Sequence, residues 1–285
     1  MSHRISAAQV QAHRAQTFHL SPAQRLHSLE AAIDFVNARG FIYFWPITGV
    51  IFPSLWTAAA GDRPVASAHD DPGHITWGWK DQALGQGCWH YAKVLRGKAT
   101  LIALDMLPAF YALSENYGAP EQDYLDQYTA GLLGHEARLI YEKLLHDGPC
   151  DTVTLRRDLR LTSQASDSPF DRSLTHLQRD FKIMPVGVAQ TGAWRYSFIY
   201  DCVHRRYPGL PAQARRLSRQ AARTLLLARY FQAMGAAPPA APRKLFQWRP
   251  ADLTAALDAL AAQGLLRHDC QMEGEAGECL ALTTL

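Results

Sequence analysis

Three segments of the chain run from a helical pattern directly into a short apolar run, and this recurrence limits the folds that the chain can adopt. They lie at residues 38–42, 178–183 and 262–266. In each segment the helical spacing of about 3.6 residues between apolar positions gives way to a strand-like run. Three similar steps in one chain of 285 residues predict an internal repeat of three related structural units.

The clearest of these units lies in the second half of the chain. Ser168 followed by Pro169 predicts a helix start, because Ser is a favoured N-cap residue and Pro is favoured at the first helical position. In order, the patterns predict helices at 136–146, at 152–161 and from Ser168, and then strands at 182–188 and 193–200. This is the element order of a winged helix, whose third helix reads a DNA groove and whose two strands form the wing.

The same order recurs at the C-terminal end, and a weaker version opens the chain. The C-terminal version has helical patterns at 218–233, 244–248 and 252–263, then strands at 264–266 and 279–285. The N-terminal version has helical patterns at 6–19, 22–29 and 29–39 before a strand at 40–44. We therefore predict a first winged-helix unit over 1–60, a central inserted segment with a Trp-rich loop over 61–134, a second winged helix over 135–210 and a third over 211–285. The predicted fold class is α+β, with tandem winged-helix domains around a concave basic surface.

The composition excludes several classes of protein. The chain has 48% hydrophobic and 19% charged residues, and its most apolar run, residues 41–56, contains two prolines and is shorter than the ~20 residues of a membrane-spanning helix. The five cysteines are scattered without a C-x-x-C pair and the N-terminus has no apolar signal sequence, so we expect a reducing cytoplasm and no membrane partner. Neither a metal-binding histidine motif nor a Gly-rich nucleotide loop is present, so we expect no metal and no nucleotide cofactor.

Positive charge is segregated along the chain although the net charge is only +3. Residues 99–137 contain no Lys or Arg, whereas residues 204–229 contain seven Arg and no acid. Such segregation allows one face to bind a polyanion. The predicted DNA-binding residues are Lys80, Arg156, Arg157, Arg172, His176, Arg179, Lys182, Arg195, Arg215 and Arg219. The alternative is a solvated face whose arginines pair with the interspersed acids.

Residues 69–81 have the most unusual local composition, with two Trp, two His and three Asp in 13 residues. Flat aromatic surfaces and titratable groups in one loop are typical of a binding pocket. We predict that Trp77 and Trp79 contribute to a base pocket, that Lys80 contacts phosphate and that Asp81 orients a water molecule. A loop whose tryptophans only anchor it to the first domain is the alternative.

A second catalytic candidate is Asp105, which lies with Glu115 on a helix-like stretch. A carboxyl buried there would have a raised pKa and could act as an acid. A solvated carboxylate without a catalytic role is the alternative.

The sequence resembles the AlkZ/YcaQ-like proteins, a family of bacterial DNA glycosylases. The resemblance is carried by residues 38–47, by Trp89-His90-Tyr91 with the following stretch 99–110, and by 223–235 with 255–266. It implies tandem winged helices, damaged double-stranded DNA as the partner, release of alkylated or crosslinked purines without a cofactor, and a monomer.

The sequence departs from this family at its catalytic motif. The family uses Gln-x-Gln or Gln-x-Asp on a short strand, and the aligned residues here are Tyr43-Phe44-Trp45. Neither Tyr nor Trp is a strong base at pH 7. Tyr43 and Trp45 would instead suit stacking on an extruded base, or would be core residues. A glycosylase using Asp81 or Asp105, a non-catalytic regulator or lesion-binding protein, and a small-ligand module therefore remain open.

Overall fold

The computed structural model describes residues 3–192, 195–274 and 277–285. The helices are α1 (Ala7–Thr17), α2 (Leu29–Arg39), α3 (Leu55–Ala60), α4 (Ile75–Gln86), α5 (Leu107–Tyr111), α6 (Pro120–Thr129), α7 (His135–Asp147), α8 (Thr152–Asp158), α9 (Gln164–Arg179), α10 (Val203–Arg206), α11 (Leu210–Ala214), α12 (Arg219–Met234), α13 (Ala240–Phe246) and α14 (Pro250–Ala262). The strands are β1 (His3–Ile5), β2 (Phe41–Tyr43), β3 (His90–Lys93), β4 (Ala99–Ile102), β5 (Cys150–Asp151), β6 (Ile183–Ala189), β7 (Ser197–Cys202), β8 (Ala236–Ala237), β9 (Leu266–Met272) and β10 (Glu278–Leu282). The predicted mixture of helices and strands is confirmed.

One topology occurs three times. Each copy has the order helix, strand, helix, helix, strand, strand: α2 to β4, α7 to β7 and α12 to β10, called here the first, second and third repeats. In each copy the last strand lies in the middle of the sheet, giving the orders β2-β4-β3, β5-β7-β6 and β8-β10-β9. In the third repeat, β1 extends the sheet by pairing in parallel with β9. The sheet of the first repeat joins strands from both sides of the boundary predicted at residues 60 and 61.

The segment predicted as a Trp-rich loop is mostly helical, which corrects the prediction. Asp71 caps a 3₁₀ turn at Pro72–His74, its Oδ1 accepting from the backbone N–H of Gly73 at 2.8 Å, and the turn leads directly into α4. Gly78 and Gly85 lie inside α4. Because Gly is unfavourable in a helix interior by about 1 kcal/mol relative to Ala, this composition conceals the helix.

The start of α9 also differs from the prediction. The helix begins at Gln164 with Ser163 at its N-cap, so Pro169 lies inside the helix. A proline there removes one backbone hydrogen bond. Burial of Phe170, Leu174 and Leu177 on one stripe compensates for this loss.

Other predicted boundaries shift as well. The segment predicted as a helix at 22–29 contains only a 3₁₀ turn, Pro22–Gln24, and the helix predicted at 244–248 lies earlier, in α13. Of the strand predicted at 193–200, residues 193 and 194 lie outside the described residues, and the strand itself is Ser197–Cys202.

The first and third repeats share one hydrophobic core. Phe52 of the first repeat stacks on Tyr230 of α12 with ring centroids 5.7 Å apart, and Phe41 contacts Phe246 at the end of α13. The second repeat has its own core around α7 and α9 and contributes Phe181 to the shared one. The junction of the three repeats is therefore built on packed side chains. Among the described helices, none has the length and apolar character needed to cross a bilayer.

Candidate functional site

A cavity of about 1010 Å³ lies where the three repeats meet. The first repeat contributes the turn between β3 and β4 (Leu95–Gly97), the second contributes the exposed face of α9, and the third contributes the end of α13. The volume is at the upper end of the range of about 300–1,000 Å³ that is typical of ligand sites.

Three residues that line this cavity have an unusual backbone conformation. Arg96, Phe181 and Gln247 have φ angles of 54°, 53° and 56°. Each lies in a different repeat. Positive φ is uncommon outside glycine, and such residues are concentrated at functional sites because the surrounding structure must hold them there.

The helix α9 presents a cationic face to the cavity. Its apolar stripe is buried, so Arg172, His176 and Arg179, spaced at i, i+4 and i+7, are exposed on the other side and line the cavity. Arg172 donates to the hydroxyl of Ser168, and Arg179 lies 3.5 Å from Oε1 of Gln247. This face was predicted from the sequence, and the structure places its three members together.

The arginines that line the cavity are free of carboxylate partners. Within the described part of the chain, Arg96, Arg172 and Arg179 form no ion pair. Nη1 of Arg96 is also buried without a hydrogen-bond partner.

The carboxylates of the cavity, in contrast, are each paired with a cation that lies behind its wall. The pairs are Glu115 with Arg219 at 2.6 Å, Asp167 and Asp171 with Arg156 at 2.6 and 3.4 Å, and Asp180 with Lys182 at 3.4 Å. Arg156, Lys182 and Arg219 do not themselves line the cavity. These three cations offset most of the charge of the four carboxylates, whereas Arg96, Arg172 and Arg179 have no carboxylate partner, so the net charge favours an anionic ligand.

Aromatic rings complete the walls. Phe246 and Trp248 are stacked with ring centroids 4.2 Å apart and an angle of 14° between their planes. Phe181 lies on the buried ring of His90, with centroids 5.3 Å apart. Flat apolar surfaces beside arginines suit a ligand that is both planar and anionic.

Glu115 is held as an ionised group at the cavity wall. Partial burial favours its neutral form, but hydrogen bonds from Tyr117 and Arg219 and the charge of Arg219 hold the pKa of Glu115 below its ordinary value.

The predicted base pocket does not form, because its aromatic residues are packed together. Tyr43 and Trp79 are 1% and 6% exposed, and Trp45 packs against Trp77 with centroids 5.4 Å apart. Burial raises the pKa of Tyr43 to about 12, and the charge of Arg96 opposes this rise. These rings lie outside the central cavity.

The prediction that Lys80 contacts phosphate is wrong for the same reason. Its Nζ donates to the hydroxyl of Tyr196 at 2.7 Å, and Asp81 lies 2.8 Å away. The aromatic rings within 4.5–5.8 Å of Nζ are Phe44, Trp77, Tyr91, Tyr196 and Phe198. Burial lowers the pKa of Lys80, while Asp81 acts in the opposite direction.

Lys182 is likewise enclosed, and its predicted contact with DNA is wrong. It is 3% exposed and its Nζ donates to Oδ1 of Asn116 at 2.6 Å. Burial lowers the pKa of Lys182, opposed by Asp180.

The two predicted catalytic acids lie away from the cavity. Asp81 accepts a hydrogen bond from Tyr196 at 2.9 Å beside Lys80. Asp105 is exposed in the turn after β4, 3.7 Å from Arg229, so the expectation of a buried acid there is wrong.

The remaining predicted cations are dispersed. Arg157 is exposed and pairs with Asp158, while Arg195 and Arg215 are exposed and do not line the cavity. Sequence reasoning missed Arg96, Gln247 and Trp248. Arg96 could have been found from its position before Gly97 in a turn between two apolar strands. No sequence pattern pointed to Gln247 and Trp248, because these residues were assigned to a helix.

Comparisons with known proteins agree with this architecture. The family model described as AlkZ related matches residues 26–247. The solved structure of the DNA glycosylase AlkZ from Streptomyces sahachiroi is similar, with a TM-score of 0.61 and 15% sequence identity, covering 99% of this chain and 71% of that chain. No curated protein sequence matches the chain. Since the family model covers most of its length, the chain belongs to the AlkZ-related family.

Proposed function

We propose that this protein binds damaged double-stranded DNA and holds an extruded nucleotide in the central cavity, as part of a DNA glycosylase-like repair activity. The observation that carries the proposal is the charge arrangement of the cavity, where Arg96, Arg172 and Arg179 form no ion pair among the described residues and each acid is paired with a cation. Enzymes that act on a base extrude it into a pocket and stack it on aromatic rings, and Trp248 offers such a ring. Membership of the AlkZ-related family and the fold shared with AlkZ support the proposal.

Each repeat is, in this proposal, a winged helix. The order of elements and the central position of the last strand support it in all three. We place the units at residues 29–102, 135–202 and 219–282. The third helix of the second unit is α9, and its exposed cations suit phosphates of the duplex.

The proposal is tested by fluorescence anisotropy with labelled duplexes, one undamaged and one containing a single alkylated purine or an abasic-site analogue. We expect the double variant Arg172→Gln/Arg179→Gln to bind both at least ten times more weakly. Arg267→Gln is the matched control, because Arg267 is exposed on β9 and does not line the cavity. Absence of duplex binding at low salt, or equal loss in the control, would overturn the proposal.

Hydrolysis of the N-glycosidic bond is the second candidate, and Glu115 is the observation that favours it. An ionised carboxylate at the cavity wall can orient a water molecule and stabilise the positive charge that develops on the sugar. Glu115→Gln retains the size of the side chain and removes this charge. We expect it to slow release of the free base from an alkylated duplex by about 100-fold or more while duplex binding persists. Duplex binding without any base release by the wild-type protein would indicate a lesion-binding protein that does not cut.

A further inference from the structure

We infer that the central cavity contains a phosphate subsite formed by Arg96, which binds a phosphate attached to the nucleotide held there. This inference rests on the proposed function and deepens it. It concerns the turn between β3 and β4, which in a winged helix belongs to the wing but here points inward.

The guanidinium of Arg96 is the first observation. It lines the cavity, forms no ion pair within the described residues, and its Nη1 is buried without a hydrogen-bond partner. A buried donor left without a partner is destabilising, and more so when the group is charged. An oxyanion in the cavity would neutralise the charge of this guanidinium, which no described carboxylate does.

The backbone holds Arg96 in place. Leu95 is buried and its N–H donates to Oγ1 of Thr100 at 3.1 Å. At Gly97, with φ +66°, a Cβ atom would come within 3.2 Å of Thr175 on α9. The turn therefore packs closely against α9, and this packing holds Arg96 in its left-handed conformation. Such preorganisation reduces the entropy lost on binding.

The chemistry selects phosphate as the ligand. A guanidinium offers paired donors that match two phosphate oxygens, and this match is strong where water is partly excluded. Each carboxylate that lines the cavity forms its ion pair with Arg156, Lys182 or Arg219. None of them forms an ion pair with Arg96. Trp248 and Phe246 provide the stacking surface on the third repeat. A nucleoside monophosphate has both required parts, a planar base and an anion.

Isothermal titration calorimetry at low ionic strength tests the inference, with dAMP, deoxyadenosine and inorganic phosphate as the titrants. We expect dAMP to bind more tightly than deoxyadenosine, and Arg96→Gln to weaken dAMP at least tenfold while leaving deoxyadenosine unchanged. Arg96→Lys keeps the charge but not the paired donors, so it should give an intermediate affinity. Arg267→Gln is the control.

Two results would overturn the inference. Equal affinity of wild-type protein and Arg96→Gln for dAMP would exclude the subsite, and an equal loss of dAMP and deoxyadenosine would show that Arg96 contacts the base. Thermal melting checks that each variant is folded. If Arg96→Gln does not fold, the test uses Arg96→Lys, and an unchanged affinity of that variant for dAMP overturns the inference. If the protein binds duplex DNA normally and Arg96→Gln does not change the affinity for dAMP, this inference is contradicted and the proposed function is not. If dAMP binding depends on Arg96 but the protein does not bind duplex DNA, only the proposed function is contradicted.

Discussion

The ammonium of Lys80 and the hydroxyl of Tyr196 lie 2.7 Å apart, and this contact joins α4 of the first repeat to the segment before β7 of the second. Tyr196 also donates to Asp81 at 2.9 Å and accepts from Nε1 of Trp77 at 3.2 Å. The aromatic rings around Lys80 exclude water from the charge. A buried charge therefore takes part in the contact between the first two repeats, and it is stabilised by Tyr196 and Asp81.

Tyr196→Phe should destabilise the protein more than the double change Lys80→Met/Asp81→Asn does. The first change leaves a buried ammonium short of one hydrogen-bond partner, at a cost of about 1.5–3 kcal/mol in the free energy of unfolding. The second removes both charges of the pair and keeps side chains of similar length, so we expect a change within about 1 kcal/mol. Urea denaturation measures both values. A larger loss for the double change would contradict the assigned role.

Arg156→Gln should weaken duplex binding although Arg156 does not line the cavity. Its loss would expose the charges of Asp167 and Asp171 to a bound phosphate. We expect affinity to fall severalfold, and to be restored when Asp167→Asn and Asp171→Asn are added. Arg156 also lies over the ring of Phe170, so thermal melting must accompany the titration. Failure of the two asparagines to restore affinity would refute the compensation of charge.

The salt dependence of duplex binding should fall when α9 loses its cations. Each phosphate contact contributes about −0.9 to the slope of log affinity against log salt concentration. We therefore expect Arg172→Gln and Arg179→Gln each to reduce the slope by about one. Arg267→Gln should leave it unchanged. Slopes equal to that of the wild-type protein would mean that α9 does not contact phosphate.

Acid should destabilise the protein through His90. This ring is fully buried, both nitrogens lack a hydrogen-bond partner, and burial lowers the pKa of His90 to about 3. Below about pH 6.5 the unfolded chain binds a proton that the folded chain does not, so the free energy of unfolding falls, by up to about 1.4 kcal/mol per pH unit, until about pH 3.

Replacement of His90 by Phe tests this dependence, since a phenyl ring can keep the stack on Phe181. Between pH 6 and pH 4, the slope of the unfolding free energy against pH should decrease by up to about 1.4 kcal/mol per pH unit, which corresponds to the uptake of one proton. His268→Phe changes an exposed histidine and should leave the slope as it is. An unchanged slope in His90→Phe would show that another group causes the acid sensitivity.

Gly97→Ala and Gly264→Ala separate backbone strain from displacement of the turn. Both glycines have positive φ, +66° and +70°, so alanine should cost about 1 kcal/mol of stability at either position. Only at Gly97 would the new methyl group press on Thr175 and shift Arg96. We expect dAMP affinity to fall in Gly97→Ala alone. An equal effect of both variants on dAMP affinity would show that the contact between Gly97 and Thr175 does not position Arg96.

Local patterns were sufficient for much of the secondary structure. Helices α2, α7, α12 and α14 were predicted because their apolar residues repeat with a clear period and few glycines interrupt them, and strands β2 and β9 were predicted from the apolar runs after α2 and α14. The helix α4 escaped prediction because Gly78, Gly85 and two tryptophans obscure its period. The pairing of β2 with β4 was missed because these two strands lie far apart in sequence.

The candidate site was predictable only in α9. The spacing of Arg172, His176 and Arg179 places them on one face of any helix, whatever surrounds it. Enclosure of Lys80 and Lys182 depends on side chains from other repeats, such as Tyr196 and Asn116. No local pattern contains that information.

The sequence by itself determined the most regular helices, the cationic face of α9 and the sign and number of the charges, because these depend on neighbouring positions along the chain. Tertiary structure alone decided which charges remain uncompensated. Glu115 and Arg219, for example, are 104 positions apart in sequence and 2.6 Å apart in space. Coulomb energy depends on distance through space, so the fold cancels one set of charges and leaves Arg96, Arg172 and Arg179 facing the same cavity.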